Sequence, residues 1–116
     1  MRAVPLPVHS AVEAIAAPAV MIIPFVLGFG LAATVISVAV GAILLGLALQ
    51  ADGPGRAVPL SAHAGFDYTI AAVAIGGGLA VGIATGDWNA GIFLVGVGAA
   101  IVALTASTRF SAVRGT

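Results

Sequence analysis

The sequence predicts an all-α membrane protein with four transmembrane helices, laid out as two tandem helical hairpins. Three observations carry this. Of the 116 residues, 61% are apolar and only 7% charged, against roughly a quarter charged in a soluble domain. Arg2-Ala3-Val4-Pro5-Leu6 recurs verbatim as Arg56-Ala57-Val58-Pro59-Leu60. Each half also holds one apolar stretch too long for a single crossing, interrupted near its middle by turn-forming residues. A small domain has too much surface per unit volume to hide so many apolar side chains from water, so the expected solvent is lipid.

The first stretch runs from Ala14 to Leu49. A hydrocarbon core of about 30 Å takes about 20 helical residues, so the stretch must fold back on itself. Gly28-Phe29-Gly30 marks the turn, because glycine reaches backbone conformations closed to other residues. This predicts a first helix over 8–28, with Pro7 in its opening turn, and a second over 33–50. Pro18 and Pro24 fall inside the first helix, where each removes a backbone donor and favours a kink. Ala51-Asp52-Gly53-Pro54-Gly55 reads as a linker. The third helix is expected over 62–84, with Ser61 as its N-cap. Thr85-Gly86-Asp87-Trp88-Asn89 is the second turn, and Trp88 suits a membrane interface. The fourth helix is expected over 90–107, followed by a polar tail. Helices are required because every backbone polar group in lipid needs an internal partner, and four strands cannot close a barrel. No cleaved leader is expected: Pro5, Pro7, His9 and Glu13 interrupt the start, and the apolar run is longer than a signal peptide's.

Residues 1–54 and 55–116 are read as duplicate units of one membrane domain. At an offset of 54, His9 falls on His63, Glu13 on Asp67, Ala17 on Ala71 and Gly28 on Gly82. Further on, an offset of 55 pairs Val40-Gly41 with Val95-Gly96 and Ala48-Leu49 with Ala103-Leu104, which implies one extra residue in the second turn. Two crossings per unit put both termini and the linker on one side, together with Arg2, Arg56, Arg109 and Arg114, the only cations apart from the histidines. The positive-inside rule then places both termini in the cytoplasm. Equal orientation of the two units makes them parallel repeats about an axis along the membrane normal.

Small residues at spacing four let helix backbones approach closely, a main driver of association in lipid. Gly78, Gly82 and Gly86 form such a stripe in the third helix, and Ser37-Gly41 and Ala42-Gly46 offer the same spacing in the second. Packing within the four-helix unit is the leading expectation, a face for a second copy or a membrane partner the other.

One polar constellation stands out. His9 and Glu13 are four apart, as are His63 and Asp67, which puts each pair on one helix face. The repeat places both pairs at similar depth. They can serve as interfacial anchors, the acids gaining from the helix dipole. They can also pass protons or ions, or bind a divalent transition metal. Anchoring is the leading expectation. The chain has no Cys, a formal net charge of zero, and no hydrolase elbow or phosphate-binding loop. Nucleic acid is therefore not an expected partner, no cofactor is implied, and an enzyme is not expected. Two classes remain: a structural or accessory membrane protein, and a minimal oligomeric proton or ion transporter or channel.

Ile23-Pro24-Phe25-Val26-Leu27-Gly28-Phe29 and Trp88-Asn89-Ala90 resemble the motifs of the SPW-repeat family of small bacterial membrane proteins, and the His9…Glu13 and His63…Asp67 pattern, with Thr105 to Thr108 closing the last helix, resembles members with two such units, a likeness extending over nearly the whole chain. Ile23-Pro24-Phe25 stands in place of the family's Ser-Pro-Trp, and its counterpart Gly77-Gly78-Leu79 lacks the proline. The resemblance implies two-helix repeats in a bacterial inner membrane and brings no biochemical activity with it.

Overall fold

A computed structural model describes residues 3–50 and 60–108, without the side chains of Leu60 and Ser61. Four helices follow in order: α1 Leu6–Leu27, α2 Leu31–Gln50, α3 Leu60–Thr85 and α4 Trp88–Ala106. All four are long and apolar enough to cross a membrane. Their ends fall within two residues of the sequence expectation. Ser61 lies inside α3, which begins at Leu60, so it is not the N-cap. The four Arg residues and the linker, with the boundary between the units, lie outside the described residues.

The exterior is apolar: Ile15, Phe25, Leu31 and Ile83 are each more than two-thirds exposed. The interior holds His9, Glu13, Ser37, His63, Asp67, Thr105 and Thr108. Apolar outside with ionisable groups inside is the arrangement lipid selects.

Each hairpin closes on a glycine in the left-handed region, Gly28 at φ 69° and Gly86 at φ 75°. Gly28 caps α1 by donating its N–H to Pro24 O. In the second turn Asp87 caps α4, accepting from Ala90 N at 3.2 Å. α1 remains one helix through both of its prolines.

Within each hairpin the helices meet at glycine. A Cβ on Gly41 would clash with the Met21 side chain and approach Ala17 O to 2.8 Å; a Cβ on Gly98 would meet Ile75 at 2.5 Å and Ala71 O at 2.7 Å. Ala17 and Ala71 are counterparts at offset 54, whereas Gly41 and Gly98 are 57 apart. Burial follows the same two offsets. His9, Glu13, Ala17, Val20 and Pro24 in α1 match His63, Asp67, Ala71, Ala74 and Gly78 in α3 at 54, and all ten are buried. Ala33, Ser37, Gly41, Leu44 and Ala48 in α2 match Ala90, Leu94, Gly98, Ile101 and Thr105 in α4 at 57, again all buried. The expected offset of 55 is therefore corrected. The extra residues lie in α3, which continues through Gly82, the counterpart of the α1 cap Gly28, for about one more turn before Gly86 ends it.

The small-residue stripes divide accordingly. Gly78 packs backbone to backbone against Gly91 O, and Gly82 lies under the Trp88 ring. Both contacts are within the second hairpin. Gly86 is a turn residue with open space beside it, and so is not part of the stripe. Ser37 and Gly41 are buried, but Ala42 and Gly46 face outward, which removes that second pair from the internal packing. The hairpins join through α2 and α3, where Gly77 meets Ile36 at 3.2 Å. Phe29 and Phe93 add a ring contact at 5.5 Å. Ala17, Val20, Leu44, Ile70, Ala74 and Ile101 fill the centre.

Candidate functional site: a buried histidine–carboxylate ring

His9 and His63 are each the fourth residue of their helix, and Glu13 and Asp67 each the eighth. A rise of 1.5 Å per residue puts the acids about 10 Å along α1 and α3. Because the helix registers agree, the four side chains converge at one depth, which requires α1 and α3 to run parallel. They meet across the bundle's diagonal: no Cα atoms of α1 and α3 come within 8 Å of one another. The side chains alone span the gap.

The result is a closed ring. His9 Nε2 lies 3.1 Å from Glu13 Oε2 and 3.0 Å from Asp67 Oδ2. His63 Nε2 lies 3.4 Å from Glu13 Oε1 and 3.2 Å from Asp67 Oδ2. Each imidazole thus faces the acid of its own helix and the acid of the other hairpin. The two rings touch edge to face, with centroids 5.5 Å apart. Exposure of His9, Glu13, His63 and Asp67 is 0%, 3%, 1% and 0%, so the pairs point into the bundle. A ring of two imidazolium ions and two carboxylates carries no net charge.

Thr108 completes the site. Val4 N donates to Ser107 O at 2.8 Å, which draws the end of α4 over the start of α1. The Thr108 hydroxyl donates to Leu104 O at 2.5 Å. It is therefore free to accept from His9 Nδ1–H, 2.8 Å away, and this assigns the Nδ1 proton of His9. The sequence marks Thr108 only within the Thr105–Thr108 close of the last helix, not as a partner of His9. Thr108 lies 99 residues from His9, and no local spacing links the two. Asp67 Oδ1 and Ser10 Oγ are buried without a hydrogen-bond partner among the described residues.

The other residues singled out by the sequence do not join the ring. Pro24 is buried in α1, Gly28 forms the first turn, Phe25 and Asn89 are exposed, and Trp88 covers Gly82 at the far end of the bundle. Ligand-capable atoms of His9, Glu13, His63 and Asp67 all lie within 4.8 Å of one another, so these four can hold a metal ion. Comparisons with protein-family models, curated proteins and solved structures return no match.

Proposed function

We propose that this is a small structural or accessory membrane protein whose buried ring clamps two helical hairpins together. The carrying observation is the crossed pairing. Neither histidine is satisfied by its own helix alone, and His9–Asp67 and His63–Glu13 join helices whose backbones stay apart. A hydrogen bond between transmembrane helices is worth about 0.6 kcal/mol on average, rising to about 1.7. Several sharing one ring bring enough to set the register of the hairpins. Lipid is the first partner; a second copy or another membrane protein is the expected further one.

The Thr108–His9–Asp67 chain has the residue types of a nucleophile, base and acid. Thr108 is fully buried, however, and its hydroxyl proton goes to Leu104 O. That speaks against a nucleophile and for a non-enzymatic role. A proton or ion path is the second reading, favoured by ionisable groups placed inside the spans. The groove of about 190 Å³ that reaches Glu13 between α1 and α4 is otherwise lined by apolar side chains such as Val12, Leu44 and Ile101, a poor lining for water.

The location we propose is a bacterial inner membrane with both termini cytoplasmic, supported by the placement of the four Arg residues in the sequence. The matching burial of the two halves supports a tandem duplication, and the motifs at Pro24 and Trp88 support kinship with the SPW-repeat family. The clamp is tested by a double-mutant cycle between His9→Gln and Asp67→Asn, reading thermal unfolding in mild detergent with EDTA present. Strict additivity of the two changes would sink it.

A further inference from the structure

We propose that the ring is a binding site for one divalent first-row transition ion, with Zn²⁺ the best geometric match, held by Nε2 of His9, Nε2 of His63 and carboxylate oxygens of Glu13 and Asp67. The site rests on the clamp reading, since it needs the same four side chains assembled from both hairpins.

The donor set is the first argument. Two imidazoles and two carboxylates suit Zn²⁺, which takes nitrogen and oxygen ligands at about 2.0–2.2 Å in tetrahedral array. Such an ion sets its ligand atoms about 3.3 Å apart along every edge of the tetrahedron. The four N···O edges of the ring are 3.0, 3.1, 3.2 and 3.4 Å. These edges are near the spacing the ion demands, two of them through different oxygens of Glu13, and all the ligand atoms lie within 4.8 Å of one another, so a turn of the carboxylates about the ion completes the tetrahedron.

The second argument is the orientation of His9. A metal-binding histidine characteristically donates its other ring N–H to an oxygen, which fixes the tautomer and the ring plane. Here Nδ1–H is donated to Thr108 Oγ1 at 2.8 Å, and the Thr108 hydroxyl is itself oriented by Leu104 O. This arrangement turns Nε2 toward the acids. The unpartnered Asp67 Oδ1 adds an oxygen that an ion at the ring would attract.

The third argument is charge. Two neutral imidazoles, two carboxylates and one divalent cation sum to zero, which limits the electrostatic penalty of an apolar interior. α2 and α4 carry no charged side chain among their residues, so nothing on them upsets the balance.

The test uses the full chain without a polyhistidine tag, stripped with EDTA in mild detergent and titrated with Co²⁺ as a coloured probe. We expect one Co²⁺ per chain, the intense visible absorption of a four-coordinate site, and loss of colour when Zn²⁺ is added. His9→Gln and His63→Gln should each abolish the absorption while circular dichroism still reports four helices. Thr108→Val keeps all four ligands but removes the acceptor for Nδ1–H, and should weaken binding about 10- to 100-fold. That variant keeps the proposal testable if the ligand variants do not fold. A folded parent chain that binds neither ion, or one whose binding is unchanged in the Thr108 and histidine variants, overturns it. Such a failure leaves the clamp reading intact, because the coupling between His9 and Asp67 is measured with EDTA present.

Discussion

His9 and Asp67 are 58 residues apart in the chain and meet at 3.0 Å inside the bundle. The contact joins the start of one hairpin to the start of the other, at the same helical turn of each. It is shorter than its symmetry-related counterpart, His63 to Glu13 at 3.4 Å. On the His9 side, Thr108 takes part in the arrangement. It holds the His9 ring from behind, through Nδ1, and thereby sets the direction in which Nε2 points.

The crossed contacts should therefore be unequal. In EDTA, the coupling between His9→Gln and Asp67→Asn should exceed that between His63→Gln and Glu13→Gln. Couplings of about 0.6–1.7 kcal/mol are the scale for hydrogen bonds in membranes. Truncation is harsher: His9→Ala leaves two buried carboxylates short of a partner, and breaking a buried ion pair costs about 3–5 kcal/mol. Thermal unfolding of the five single and two double variants measures all of these. A larger coupling on the His63 side would contradict the ranking that the two distances give.

Glycine substitutions should rank by what the new side chain meets. Gly78→Leu drives into Gly91 O and the backbone of Val95, neither of which can move without parting the helices. Gly82→Leu meets the Trp88 ring, which is half-exposed and able to swing outward. Gly46→Leu enters open space on the lipid-facing side. The expected loss of thermal stability is largest for Gly78, intermediate for Gly82 and near zero for Gly46, with Leu79→Ala on an exposed face also mild. A damaging Gly46→Leu would instead mark the outer face of α2 as a contact with another molecule.

Gly86→Ala isolates a conformational cost. No atom lies within 4 Å of the added Cβ, but the backbone holds φ at 75°. A left-handed conformation costs an L-residue about 1–2 kcal/mol, so the stability loss should be of that order without any steric clash. Gly86→Asn should recover part of it, since Asn tolerates the left-handed region better than Ala. Equal stability of the Ala and Asn variants would argue against strain as the cause.

Much of this architecture is legible because length and composition leave lipid few alternatives. A run from Ala14 to Leu49 with glycines in the middle becomes a hairpin. The ring is legible for a different reason: duplicated His-x-x-x-acid pairs at one register of parallel helices have a common depth. Its burial was less legible, because a pair near a helix start also suits the headgroup layer. Thr108 was hidden, since its approach to His9 depends on Val4 pairing with Ser107. The offset of 55 misled because α2 and α4 are written largely in Ala, Val, Gly, Ile and Leu, so identities arise at several registers. Packing decides between them: Gly98 lies against Ala71 and Ile75, whereas Gly96 has nothing within 4 Å.

Orientation is open to a direct reading. The proposed topology puts Arg2, Arg56, Arg109 and Arg114 on the side of the termini and Asp87 on the other, a reading of the sequence. Reporter fusions at Thr116 and at Asp87 should give opposite signals, cytoplasmic for the first. An extracytoplasmic signal at Thr116 would invert the assignment and carry the ring to the outer half of the membrane.

The clamp and the proton-path readings diverge in liposomes. A clamp needs its ring closed and dry; a path needs water to reach Glu13 and Asp67 in turn. All four nitrogen–oxygen edges of the ring are 3.4 Å or shorter, and the groove leading to Glu13 presents apolar walls. Purified chain in liposomes under a pH gradient should therefore leave the internal pH no different from protein-free liposomes. Glu13→Gln and Asp67→Asn should leave that result unchanged while lowering thermal stability, because each removes an acid that two imidazoles share. A proton flux in the parent, lost in both variants, would reverse the ranking. It would mean that the ring opens in lipid and that the hairpins, or several copies of the chain, part to admit water.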